Sequence, residues 1–202
     1  GMLERYRLEM AENTVLERQR LFRDLVTSRI DFKEALERGE ELGLELSASF
    51  YQLMLFKLIP SGPSSIWSDA VVSCQEDIEE HMEGRSHILV FDRGDEGWAF
   101  ILIGESEQEV ERRMKECAVH LGELVHTYRD IQYFGSIGCC VNRLGDLQQS
   151  YQQAGQAFAC RFFSEMNQVV HYSQMEQMLS SAEEPIDIHS VDGSKVNRKT
   201  LE

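Results

Sequence analysis

The chain has 202 residues, 42% of them hydrophobic, which is enough for one core of ordinary size with flanking segments. Its 20 basic and 35 acidic residues leave a formal net charge of −15, which excludes this stretch as a strong ligand of nucleic-acid phosphates, since that affinity comes from clustered Lys and Arg. No apolar run of about 18 residues and no basic start before an apolar segment is present, so neither a membrane span nor a secretion signal is encoded, and a cytoplasmic protein is expected.

Gly1 ahead of Met2 reads as a residue left by tag removal, so the expectation is an expressed piece of a longer protein. Leu3 to Ser28 is rich in Glu, Arg, Leu and Met and contains neither Gly nor Pro, which predicts a long helix. Leu8, Val15 and Phe22 recur every seven residues and Leu21 and Leu25 widen the stripe near its end, so Leu8, Val15, Phe22 and Leu25 are candidates for a dimer seam. Arg18 at a seam position leaves the alternative open: one amphipathic helix lying on its own domain. Asp31 followed by Glu34 has the spacing of a capping box and predicts a second helix ending near Gly43.

From Phe50 to Ile59 a nearly continuous apolar run predicts a central strand, stopped by Pro60-Ser61-Gly62-Pro63. Ile66 to Met82 has helical spacing, with Trp67, Ala70, Val71, Cys74 and Ile78 expected to face inward. His87 to Phe91 and Trp98 to Ile103 are two apolar runs around the polar tip Asp92-Arg93-Gly94-Asp95-Glu96-Gly97, which predicts a hairpin. Ser106 with Glu109 opens a helix to about Tyr128. Beyond Tyr172 a short helix from Gln174 to Ser180 is expected, and then a polar tail over Ser181 to Glu202. The five cysteines lack paired spacing and read as small buried hydrophobes, with Cys139 and Cys140 on opposite faces of a strand.

The most specific stretch runs from Tyr133 to Tyr172: Tyr133-Phe134-Gly135-Ser136-Ile137-Gly138, then Ser150-Tyr151-Gln152-Gln153-Ala154-Gly155-Gln156-Ala157, then Arg161-Phe162-Phe163, then Asn167 to Tyr172. It resembles the last third of the degenerate GGDEF-like domain of AraC-type two-component response regulators. The tip residues Gly94, Asp95 and Glu96 also match the Gly-Gly-Asp-Glu-Phe motif, with Arg93 replacing its first glycine and Gly97 its phenylalanine. Gly, Asp and Glu are ordinary turn residues too. The resemblance implies an α+β fold with a GGDEF/nucleotide-cyclase-like, ferredoxin-like core sheet and packed helices, preceded by the long N-terminal helix. The expected organisation is a helical leader over 1–45, a degenerate GGDEF-like domain over 46–175, and a short helix with a linker over 176–202.

In that family, joining two GTP molecules needs divalent ions held by one carboxylate from the end of the first strand and another from the hairpin. Here Phe50 to Ile59 contains no Asp or Glu and Lys57 is its only charge, so no catalytic residue, cofactor or metal is expected. Other chemistry is no better supported. The six histidines form no His-Glu-x-x-His, and Glu123 with His126 is a single pair where a bundle site uses two. Gly135 to Gly138 is not a nucleophile elbow, and no glycine-rich phosphate loop occurs.

For Ala154, Ala157, Phe158, Phe162 and Phe163 the expectation is a packing face. The resulting expectation is a non-catalytic relay domain of a bacterial transcriptional response regulator. It would form a homodimer, sit between a receiver and an AraC-type DNA-binding domain of the same parent chain, and contact neither nucleic acid nor membrane itself. The alternative is a nucleotide-binding sensor or diguanylate-cyclase-like enzyme using Arg93, Gly94, Asp95 and Glu96.

Overall fold

A computed structural model describes residues 1–62 and 68–182. Ile66 and Trp67, and the expected tail from residue 183 on, lie outside the described residues. Among the described residues, six α-helices and five strands follow in the order α1 (Met2–Val26), α2 (Phe32–Glu41), β1 (Phe50–Pro60), α3 (Asp69–Met82), β2 (Ile88–Asp92), β3 (Trp98–Gly104), α4 (Glu107–His126), β4 (Ile131–Ile137), α5 (Leu147–Ala159), β5 (Gln168–His171) and α6 (Tyr172–Ala182). The α+β reading of the sequence therefore holds. No helix among the described residues is long and apolar enough to cross a membrane.

The helix starts follow the capping residues. Asp31 accepts a hydrogen bond from the Glu34 amide at 2.8 Å and opens α2, Ser68 accepts from Val71 and opens α3, and Ser106 accepts from Glu109 at 3.2 Å and opens α4. Glu109 reaches back one residue beyond its cap, to the Glu105 amide at 2.8 Å.

The sheet order is β2-β3-β1-β4-β5, antiparallel except for the parallel pair β4 and β5, which α5 connects as the required crossover. β1 lies in the centre, and its alternate residues feed two separate cores. Tyr51, Leu53 and Leu55 join residues of α1, α2 and α5 on one face, whereas Met54, Phe56 and Leu58 join α3 and α4 on the other. This double burial is why its sequence reads as a continuous apolar run and not as an alternation. Cys139 packs on the first core and Cys140 on the second, but the pair lies beyond the end of β4 at Ile137 and not on a strand, and both, like Cys160, are only half-buried, unlike the buried cysteines expected.

The seam expected along α1 is divided. Phe22 and Leu25, with Leu21 and Val26, are buried in the domain's own core, where Phe22 meets Phe91 at 5.1 Å and Tyr151 edge-on at 5.9 Å between ring centroids. Arg18 donates to the Val90 carbonyl at 3.0 Å, capping the outer edge of β2, and Arg38 of α2 pairs with Asp24 at 2.8 Å. Leu8 and Val15 remain exposed, at 64% and 46%. The seven-residue repeat thus crosses from a C-terminal half docked on the domain, as the single-helix reading expects, to an N-terminal half whose apolar residues are exposed.

Two other expectations are corrected. Phe162 and Phe163 do not fill the packing face of α5: the helix ends at Ala159, a 3-10 turn over Cys160–Phe162 follows, and their side chains are 74% and 93% exposed. Ala70 is exposed in the first turn of α3, whose inward face is Val71, Cys74, Ile78 and Met82.

Candidate functional site

The hairpin tip is built from the end of the ladder at Asp92↔Trp98. The Asp92 carboxylate accepts from the Gly94 amide at 2.7 Å, Arg93 donates its backbone N–H to the Gly97 carbonyl at 2.8 Å, and Gly94–Glu96 forms a single 3-10 turn. Gly94 and Gly97 both sit at positive φ, 63° and 85°. A Cβ on Gly97 would fall 2.2 Å from the Phe56 carbonyl oxygen, so the tip lies against the end of β1 and the phenylalanine of the resembled motif cannot be accommodated there.

The tip separates two clefts. On the α3 side a cleft of about 250 Å³ is lined by Lys57 and Leu58 of β1, Val71 and Gln75 of α3, and Gly94 and Asp95 of the tip. On the α1 side, Gln19, Phe22 and Arg23 face Arg93 and Tyr151 across about 420 Å³. The four residues expected to form one anion site are therefore split. Arg93 turns to α5, its guanidinium carbon 5.8 Å from the centre of the Tyr151 ring, whereas Asp95 borders the cleft beside β1 and Glu96 is exposed. Gly94 borders both clefts.

The donor set fits a divalent ion poorly. Asp92 is held in its turn, Asp95 and Glu96 are exposed, and the charged residue that β1 brings to the cleft is Lys57, a cation and not a carboxylate. Glu79 of α3 lies near this corner, bonded to the Trp98 indole at 3.4 Å. Burial pushes its carboxyl above the usual range, the Trp98 bond opposes that, and the neighbouring charge of Asp92 adds to it. Among the described residues no three His, Cys, Asp or Glu side chains converge on a common point, and Glu123 and His126 are both exposed.

The stretch that carried the resemblance shows what its small residues do. A Cβ on Gly138 would lie 2.0 Å from the Ser150 carbonyl oxygen, and one on Gly135 about 3.0 Å from Val169. Ser136 donates to the Ala154 carbonyl at 2.7 Å, Ser150 accepts from the Leu53 amide at 3.1 Å, and Gln153 accepts from Cys139 at 2.9 Å. Ala154 and Ala157 are fully buried. The pattern of Gly, Ser and Ala is the imprint of α5 pressed onto β4 and β1 at backbone distance.

A model described as GGDEF-like domain matches residues 27–160, from the C-cap of α1 to the end of α5. The chain belongs to the GGDEF-like domain family. The match takes in the hairpin tip, the cleft on the α3 side and the α5 contact, and leaves all of α1, which forms one wall of the other cleft, outside together with β5 and α6. A search among curated proteins found no match. Within this GGDEF-like domain, sequence reasoning named the tip residues but missed Tyr151 as the partner of Arg93. The signal was a tyrosine one turn before Ala154 on a helix otherwise used for close packing.

Proposed function

We propose that this GGDEF-like domain is a non-catalytic relay in a bacterial two-component transcriptional response regulator, coupling a receiver domain to an AraC-type DNA-binding domain. One observation carries the non-catalytic half: the end of β1 faces the hairpin with Lys57 in place of a carboxylate, and the tip's own cation is packed on Tyr151. Metal-assisted joining of nucleotides needs negative ligands on both sides of that cleft.

The relay half is supported by α1. Its C-terminal turns are fixed to β2 and α5, so any rotation of its exposed N-terminal turns is passed to the sheet. Leu8 and Val15, seven residues apart on one face, give those exposed turns apolar surface for a second copy. Two packings of such a helix pair, separated by a modest free energy, form a two-state element that a receiver can bias. The regulator context rests on the order of residues between Tyr133 and Tyr172.

The test combines three measurements. Sedimentation should give a dimer that Leu8→Glu with Val15→Glu converts to monomer, and the same pair in the parent protein should uncouple its output from its input. Calorimetric titration with GTP and Mg²⁺ should give no heat. Sequence on both sides of this stretch should contain a phosphoacceptor domain and a basic helix-turn-helix pair. A persistent monomer with unaltered signalling sinks the relay reading, and GTP binding abolished by Asp95→Ala and Glu96→Ala replaces it with a nucleotide sensor.

A further inference from the structure

Three polar residues are fully buried in the described part of the domain: Gln52, Ser136 and Ser150. Both serines have partners within the α5 contact. Gln52, only 2% exposed, is satisfied on one side alone. Its Nε2 donates to the Gly138 carbonyl at 3.0 Å, and no donor among the described residues reaches its Oε1. Turning the amide over would set two oxygens against each other, so the Gly138 bond fixes which end is left open. A buried acceptor without a donor is uncommon enough to need a reason.

Gln52 lines a cleft of about 470 Å³ between α4 and the β4-β5 end of the sheet, with apolar walls from Met114, Ala118, Ile137 and Val169. That volume falls within the range of small-molecule sites, roughly 300–1,000 Å³. Glu111 and Lys115, opposite charges one turn apart on α4, also border it, so neither sign of ligand charge is favoured. At the rim His171 accepts at Nδ1 from the Ser173 amide and hydroxyl, at 3.3 and 2.7 Å, which puts the neutral ring's proton on Nε2. Burial lowers the pKa of His171, with Glu111 opposing and Lys115 assisting, and so favours that neutral ring.

We propose that this cleft binds a small, uncharged, mainly apolar molecule that displaces a wall side chain and sets a hydroxyl or N–H against Gln52 Oε1, an atom closed to solvent before the ligand enters. An acceptor at the ligand's outer end would meet His171 Nε2–H. The site lies at the opposite end of β1 from the hairpin tip and shares no residue with the clefts there, so it stands whether or not the relay reading does.

Indole and 1-methylindole form a matched probe pair, alike in shape but with the donor blocked in the second. Calorimetry and saturation-transfer NMR on the whole chain should show indole binding about tenfold or more tightly than 1-methylindole, the scale of one buried hydrogen bond. Gln52→Met, close in volume but without the acceptor, should bring the ratio to about one. Ala118→Trp fills the cleft from the α4 wall and should block both probes, which keeps the test decisive if Gln52→Met fails to fold. The proposal is overturned if neither probe binds, if both bind equally, if the preference survives Gln52→Met, or if crystals soaked in indole show only water on Oε1.

Discussion

At the residue scale, glycines mark where the backbone has no room. Gly97 meets the Phe56 carbonyl and also needs positive φ, whereas Gly94 needs positive φ but has open space where its Cβ would stand. Gly94→Ala should therefore cost about 1 kcal/mol, the ordinary penalty of a left-handed L-residue. Gly97→Ala adds a backbone collision and should cost at least ~2 kcal/mol more, because the tip must lift from β1. Urea melts of the two variants check the order, and equal losses would mean that the tip does not rest on the strand. The sequence displayed these glycines but not their difference, since steric room depends on a strand some forty positions away in the chain. The same applies to Arg93, legible as a departure from the motif, whose turn toward Tyr151 depends on where α5 lies.

At the element scale, α1 does two jobs at its two ends. Phe22 is 6% exposed within an aromatic cluster and Leu8 is 64% exposed. Phe22→Ala is expected to destabilise the domain by about 3–5 kcal/mol, and Leu8→Ala to change stability by less than about 0.5 kcal/mol at concentrations where the protein is monomeric. Chemical denaturation across a tenfold range of protein concentration separates the two, since a seam role for Leu8 makes its effect grow with concentration. Element types and order were legible because β1, the hairpin runs and the capping residues Asp31 and Ser106 each carry a local signal. The end of α5 was not, because Arg161, Phe162 and Phe163 continue a helix-compatible pattern. Only the structure shows the chain leaving through a 3-10 turn that turns both rings to solvent.

At the scale of the whole molecule, two cores share one sheet and should melt together. Cys74 of α3 and Cys117 of α4 are buried on the face opposite α1, and burial pushes each thiol up to about 12. Neither should react with a thiol reagent near neutral pH until the domain opens. If the faces are one cooperative unit, Phe22→Ala, on the other core, should speed labelling of both cysteines in proportion to the global stability it removes. Mass spectrometry of timed labelling checks this, and an unchanged rate would show that the α3-α4 face holds without its partner.

The central position of β1 has a consequence for the order of synthesis. Phe50–Pro60 leaves the ribosome first among the strands, yet its neighbours are Trp98–Gly104 and Ile131–Ile137. At about 5–20 residues per second, seconds pass in which the most apolar segment of the nascent chain has no strand to lie beside. During that interval α1 and α2, made first, and then α3 are the helices available to shield it. A leader that docks on the sheet in the finished domain is then also the first cover for its most exposed strand while the chain is being made.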